Sequence, residues 1–290
     1  MNGIIIINKE QGFTSHDVVA VMRKILGTKK VGHTGTLDPQ ATGVLPVCVG
    51  KGTKVSDMLT NSDKEYVARV TLGITTDTED IWGEVIEKKD CSHITSDMIC
   101  DVAESFVGEI EQVPPMYSAV KIGGKKLYEY ARGGVEIERK SRKVTIHKIT
   151  VEDFADGEFT MRVACSKGTY IRTLCSDIGK KLGVGACMSA LIRTKSSVFT
   201  LDMAKTIDEV RQVAQSGEVE GLIIPVDELF KEFNEIRLDA DRTAKILNGM
   251  FLNVPHPDGE YRVYSNKSEF ICIGRVCGNT LRIVKNFYAN

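Results

Sequence analysis

Between residues 32 and 43 the chain runs Gly32-His-Thr-Gly-Thr-Leu-Asp-Pro-Gln-Ala-Thr-Gly43, and this segment limits the fold more than any other. Three glycines and the Asp38-Pro39 pair exclude a continuous helix or strand, so the segment must be a shaped loop. Ahead of it, Ile4 to Ile7 reads as a buried strand. Val18, Val19, Met22, Ile25 and Leu26 then recur at helical spacing behind a Thr14-x-x-Asp17 capping pair, with Gly27 to close the helix. A strand and a helix therefore deliver the chain into a loop with an acid near its centre. Read alone, Asp38 before a proline is the N-cap of a helix starting at Pro39.

Beyond the loop, Tyr66, Ala68, Val70 and Leu72 alternate with Val67, Arg69 and Thr71, the period of a half-buried strand, and Met161, Val163 and Cys165 repeat it. Ile171, Leu174, Ile178 and Leu182 describe a helix face that ends at Gly183, and Ile207 to Val213 suggests another helix. Strands and helices are interspersed without a regular βαβ cadence, which predicts an α+β fold. A chain of 290 residues accommodates one large core and a smaller module. The longest apolar runs, Ile4 to Ile7 and Val18 to Met22, fall far short of the roughly 20 residues that span a bilayer. With no signal-peptide pattern at the N-terminus, a cytoplasmic location is expected. The eight cysteines never form a C-x-x-C pair, so reduced, buried thiols are expected rather than metal ligands or a disulfide framework.

Net charge is -1, which gives no global field for an anionic partner, so any nucleic-acid site must be a local patch. One such patch is visible. From Lys121 to Lys148 nine cations face three acids, whereas from Asp202 to Asp241 eleven acids face four bases. The basic stretch also carries Gly123-Gly124, Tyr128, Tyr130 and Gly133-Gly134, which interleaves aromatic faces and flexible points with phosphate-pairing cations. RNA suits that mixture, and a solvated charged hairpin with no partner suits the composition equally well. The last thirty residues are basic again and alternate in Tyr261-Arg-Val-Tyr264 and Phe270-Ile-Cys-Ile273, predicting a small β-rich module from about Asn234.

Several stretches occur together in one order. They are Ile5-Ile-Ile-Asn-Lys-Glu-Gln-Gly12 with Ser15, the loop from Gly32 on to Pro46, Lys64-Glu-Tyr66 and Thr76-Asp-Thr-Glu-Asp80. Gln112-Val-Pro-Pro-Met-Tyr-Ser-Ala119 and Cys165-Ser-Lys-Gly-Thr-Tyr-Ile-Arg172 follow. Over nearly the whole chain this series resembles the TruB family of tRNA pseudouridine synthases. Glu10, where a proline is common, and Thr36, where a small residue is common, are the departures, and neither touches the presumed chemistry.

The resemblance implies a pseudouridine-synthase fold, with a central mixed β-sheet flanked by helices and a small C-terminal PUA-like β-barrel. The catalytic domain would span 1–233, with a basic RNA-binding insertion over about 121–148, and the PUA-like module 234–290. It also implies isomerisation of the T-loop uridine at tRNA position 55, by a monomer acting on the tRNA T-arm with no cofactor, metal, membrane or protein partner. Asp38 would be the nucleophile, at C1′, at C6 or through C2′, and Arg172 would orient it in its charged form. Tyr66 would stack on the uracil, with its phenol available to the removal of the C5 proton. His33 would fill the space left by the flipped base. Tyr170 and Leu191 would line the uridine site, and Lys9 would support the site or contact phosphate. Each has a plainer reading: core residues for Tyr66 and Leu191, a loop residue for His33, a surface cation for Arg172. A non-catalytic RNA-binding protein on the same scaffold is the competing function, against which the presence of Asp38, Tyr66 and Arg172 together counts.

Overall fold

The computed structural model describes residues 1–288. Its central sheet takes β1 (Gly3–Lys9), β2 (Val31–His33), β3 (Thr42–Val49) and β4 (Lys64–Leu72) from the first quarter of the chain. A hairpin of β5 (Ile74–Thr76) and β6 (Val85–Lys88) intervenes before β7 (Gly108–Gln112), and a second, β8 (Lys121–Ile122) and β9 (Lys125–Lys126), follows it. The sheet is completed by β10 (Arg142–Ala155), β11 (Glu158–Cys165), β12 (Ala186–Ser196) and β13 (Phe199–Thr200). Its order is β1-β3-β12-β4-β11-β10-β7, with β2 on β3 and β13 on β12. The sheet is mixed because β12 runs parallel to β3 and antiparallel to β4. This is the α+β arrangement expected from the interspersed pattern.

Helices α1 (Ser15–Ile25), α2 (Ser56–Thr60), α3 (Ser96–Glu104), α4 (Leu127–Arg132), α5 (Ile171–Lys181) and α6 (Ile207–Gln215) fill the connections. The Thr14–Asp17 pair forms the capping box read from the sequence, and Thr206 with Glu209 forms another at α6. Val18 and Met22 of α1 and Leu174 and Ile178 of α5 share one core with Ala68 and Val70 of β4 and Met161 and Val163 of β11. The alternation in β4 and β11 thus records one face against that core. On the opposite face Arg69 pairs with Glu158, and Arg162 with Glu65.

In β1 the apolar run does not alternate, and the packing gives the reason. Ile5 and Ile7 enter the main core, while Ile4 and Ile6 enter a second cluster with Val226, Phe230, Ile273 and Phe287. A strand covered on both faces needs apolar residues at every position. The second cluster ties β1 to a five-stranded C-terminal sheet, a curled half-barrel. It is made of β14 (Asn234–Arg237), β15 (Leu252–Asn253), β16 (Gly259–Tyr264), β17 (Phe270–Cys277) and β18 (Thr280–Asn286), in the order β14-β16-β17-β18-β15, with α7 (Ala240–Leu247) between its first two strands.

Two local readings change. No helix starts at Pro39; the Ala41 N–H donates to the Asp38 carbonyl at 3.1 Å, so Asp38-Pro39-Gln40-Ala41 is a β-turn with proline at its second position. Residues 142–148 of the basic stretch run in β10, where Arg142 to Ile146 pair with β7 and Lys148 with β11, so the part that stands off the sheet is 121–141. There six cations face three acids. Among the described residues, no helix is long and apolar enough to cross a membrane.

Candidate active site

The loop after β2 owes its shape to a residue far away in sequence. Arg193 of β12 is 1% exposed, and its guanidinium donates to the carbonyls of Val44 at 2.7 Å and Gly35 at 3.0 Å. Gly43, at φ 100°, pairs with Arg193 across the parallel β3–β12 contact, and a Cβ there would lie 2.3 Å from the Arg193 carbonyl oxygen. Gly43 is therefore required by close backbone approach to a buried arginine, and Gly35, at φ 79° beside the same guanidinium, by a left-handed backbone, not by flexibility.

From the other side the loop is held by Lys9 at the end of β1. Its ammonium is fully buried and donates to the carbonyls of Glu10 at 2.9 Å, Phe13 at 2.7 Å and Pro39 at 3.0 Å. Pro39 follows Asp38, so Lys9 pins the turn that carries the acid. All three ammonium donors are engaged on carbonyls, which favours the support role over a phosphate contact. Burial lowers the Lys9 pKa to about 8, against the opposing pull of Asp38. Lys9→Met is expected to cost about 3 kcal/mol of stability, since it orphans buried carbonyls, and to slow catalysis by loosening the turn. Urea unfolding and turnover of the same preparation check both effects.

Asp38 is thereby presented with its side chain 41% exposed, while Arg172, 6% exposed, lies against it from the first turn of α5 with Nε 2.9 Å from Oδ2. The remainder of the Arg172 fork is occupied: Nη1 donates to the Thr78 carbonyl at 3.1 Å, and Nη2 to the Tyr117 carbonyl at 2.8 Å. Asp80 Oδ2 lies 3.7 Å from Nη1. Four partners fix the guanidinium plane, so the direction from which it meets Asp38 is fixed too. The loop bearing Thr78 and Asp80 is itself locked: Thr78 Oγ1 donates to Asp80 Oδ1 at 2.7 Å, and Thr173 Oγ1 of α5 donates to Glu79 Oε2 at 2.6 Å.

Tyr66 is the register partner of Arg193 on the core face of β4. Burial pushes its phenol up, with Arg193 pulling the other way. The ring is therefore neutral near pH 7, which suits a stacking surface better than a proton acceptor. Leu191, on the same face as Arg193 and paired with Ala68, is 8% exposed within the main core. Its side chain packs in that core with a small part of its surface left open. His33 lies at the end of β2 against His16, with ring centroids 5.1 Å apart, and its buried Nδ1 has no hydrogen-bond partner. Burial first, then the neighbouring His16 and Arg193, lower its pKa to about 4, so it too is neutral at pH 7. Tyr170 is the N-cap of α5, and its main chain is held by the Gln112 side chain.

The structure thus brings Lys9, Asp38 and Arg172 into one bonded constellation, sets Tyr66 beside Arg193 on the neighbouring strand, and leaves His33 with an unused ring nitrogen. The sequence reading did not single out Arg193, Asp80 or Gln112. Asp80 and Gln112 lay inside quoted motifs without a role. Arg193 could have been found from period-two alternation, which puts it on the core face with Leu191, where an unpaired cation is not tolerated.

Comparison with known proteins fits this arrangement. The description "TruB family pseudouridylate synthase (N terminal domain)" matches residues 23–171, and "tRNA pseudouridylate synthase B C-terminal domain" matches residues 172–231. A protein of Bacillus pumilus named tRNA pseudouridine synthase B is 47% identical over 281 residues, 95% of this chain and 91% of its own length. The chain belongs to the TruB family of pseudouridine synthases. A TruB relative from Alkaliphilus oremlandii with the same name is 49% identical over 266 residues, covering 92% of this chain and 84% of that one. Among solved structures, a chain of a Cbf5-Nop10-Gar1 complex superposes with a TM-score of 0.73 at 28% identity, over 99% of this chain and 85% of that chain. A chain of an H/ACA RNP bound to a substrate RNA containing 2′-deoxyuridine gives 0.71 at 26% identity, over 99% and 85%. The N-terminal TruB match spans the Asp38 turn, Tyr66, Asp80 and Gln112; Arg172 opens the C-terminal match, Arg193 lies within it, and Lys9 precedes both.

Proposed function

We propose that this chain converts the T-loop uridine of tRNA, position 55, to pseudouridine, with Asp38 as the nucleophile. The observation that carries the reading is the state of Asp38: oriented by a buried, four-partnered arginine and still open to a substrate on its free side. The reaction breaks N1–C1′ and joins C5 to C1′; the proton leaves C5, N1 gains one, and the composition of the nucleotide is unchanged. Uracil departs and returns within one pocket, so no water need be activated and one carboxylate suffices, unlike a hydrolase that employs two. Attack at C1′, attack at C6 and proton abstraction at C2′ all use an ionised Asp38. Tyr66 stacks on the uracil, Tyr170 and Leu191 wall the site, and the neutral His33, with a free ring nitrogen, enters the gap left by the flipped base.

Residues 1–233 are assigned to catalysis and 234–290 to RNA binding, and the chain acts alone on the T-arm. Support for RNA contact is stronger in the arm than in the C-terminal sheet. In the arm the Lys126 ammonium and the Arg132 guanidinium lie 5.3 and 5.4 Å from the Tyr128 ring centre. In the C-terminal sheet Arg262 and Arg275 are already paired with Glu235 and Glu260. Replacing Lys121, Lys125, Lys126 and Arg132 with glutamine is expected to flatten the dependence of log affinity on log salt by about one per lost phosphate contact. A titration of T-arm hairpin binding at several salt concentrations reads the slope, and an unchanged slope removes the arm from the RNA interface.

The reading itself is tested by tritium release from an unmodified T-arm hairpin whose uridine is labelled at C5. Bond formation at C5 frees the label. Tight binding without release by the purified chain favours instead an RNA-binding role on the same scaffold or a requirement for partners.

A further inference from the structure

Gln112 ends β7 and is the register partner of Arg142, the first residue of β10. The chain leaves the sheet at one of these residues and returns at the other, with the basic arm between them. Gln112 is 2% exposed, and its side chain turns away from the arm to the start of α5. Its Nε2 donates to the Tyr170 carbonyl at 3.0 Å, and the Tyr170 N–H donates to its Oε1 at 2.8 Å. One amide thus satisfies both main-chain groups of a residue, as a neighbouring strand would. No side chain of α5 itself caps that helix. Two residues on stands Arg172, whose Nη2 is held by Tyr117, five residues beyond Gln112 on the same departing segment.

We propose that Gln112 is a positioning residue: its amide clamps the Tyr170 main chain so that Arg172 meets Asp38 in the reacting geometry. The proposal rests on the reading of Asp38 as the reacting carboxylate. Both grips on the first turn of α5, the Gln112 amide and the Tyr117 carbonyl, come from the segment that carries the arm, whose base is closed by Arg139 donating to the Pro114 carbonyl at 3.2 Å. The hold on Arg172 is therefore mechanically continuous with the RNA-facing arm. Gln112 touches neither substrate nor reacting atoms, and its effect passes through the helix start.

The test uses the full chain with Gln112→Ala and Gln112→Glu. For Gln112→Ala, single-turnover tritium release from the labelled hairpin is expected to fall about 10- to 100-fold, with hairpin affinity within about threefold of wild type because phosphate contacts dominate binding. Hydrogen exchange at the Tyr170 amide is expected to accelerate. Gln112→Glu distinguishes positioning from simple loss of structure. An ionised glutamate accepts from the Tyr170 N–H but repels the Tyr170 carbonyl, whereas a protonated one restores both bonds. Its rate relative to wild type is thus expected to rise several-fold as pH is lowered from about 8 to about 5.5, a range into which burial brings such a carboxyl. A relative rate that is flat with pH, wild-type release by Gln112→Ala, or unchanged exchange at Tyr170 overturns the proposal. Failure of the wild-type chain to release tritium overturns the reading beneath it, and is told apart by the exchange measurement, which needs no chemistry.

Discussion

For the Asp38→Asn variant, tritium release from the labelled T-arm hairpin is expected to fall by about 10³-fold or more, with hairpin affinity unchanged within about threefold. Asparagine keeps the shape of the side chain and an oxygen that still accepts from Arg172 Nε, so the turn built by Lys9, Pro39 and Ala41 stays in place. What disappears is the negative charge, and with it the capacity to attack C1′ or C6 or to take a proton from C2′. Neighbouring groups do not offer a replacement. Asp80 is the nearest second carboxylate on Arg172, but it is held by Thr78 and by the backbone of Trp82 on the far side of the guanidinium fork. Retention of more than about a tenth of the wild-type rate would assign the chemistry elsewhere.

Arg172→Ala is expected to be the most damaging substitution to the fold and the site together. The guanidinium serves two carboxylates and two carbonyls from a position nearly closed to water. Removing it leaves the Thr78 and Tyr117 carbonyls and the Asp80 carboxylate without their partner, a loss of about 3–5 kcal/mol for a broken buried pair. Turnover is expected to fall about 10³-fold as Asp38 loses its orientation. Arg172→Lys separates the two effects. A lysine restores charge but reaches at most part of the four-partner set, so stability should recover more than rate does. Thermal unfolding and single-turnover release measured on both variants read this split; equal recovery of rate and stability by lysine would reduce Arg172 to a point charge.

Legibility in the sequence followed the range of the interactions. Capping at Thr14, the glycine after α1, the alternation of β4 and β11 and the amphipathic face of α5 all depend on neighbours within a few residues, and the structure has them as read. Pro39 by itself does not decide the turn at Asp38, because the same dipeptide serves a helix start and a β-turn. Only the hydrogen bond closed by Ala41, and the grip of Lys9 from thirty residues away, select the turn. The basic stretch was visible as composition, yet where it left the sheet was not, because a charged residue on a strand and one on an arm look alike until pairing with β7 is known.

The residues of the proposed site were also unevenly visible. Asp38, Tyr66 and Arg172 could be named from motif order, and the contact between Asp38 and Arg172 is there at 2.9 Å. Arg193, Asp80 and Gln112 could not be ranked, since each owes its place to partners more than fifty residues distant or to a neighbouring loop. The sequence alone determined most local elements and the family, because those are written in short-range spacing and motif order, and Asp38 as the proposed carboxylate is what the family resemblance implies. The tertiary structure alone decided which groups hold that carboxylate: burying a cation such as Arg193 or Arg172 demands a complete set of acceptors, and the backbone carbonyls of Val44, Gly35, Thr78 and Tyr117 among them are marked by no sequence pattern.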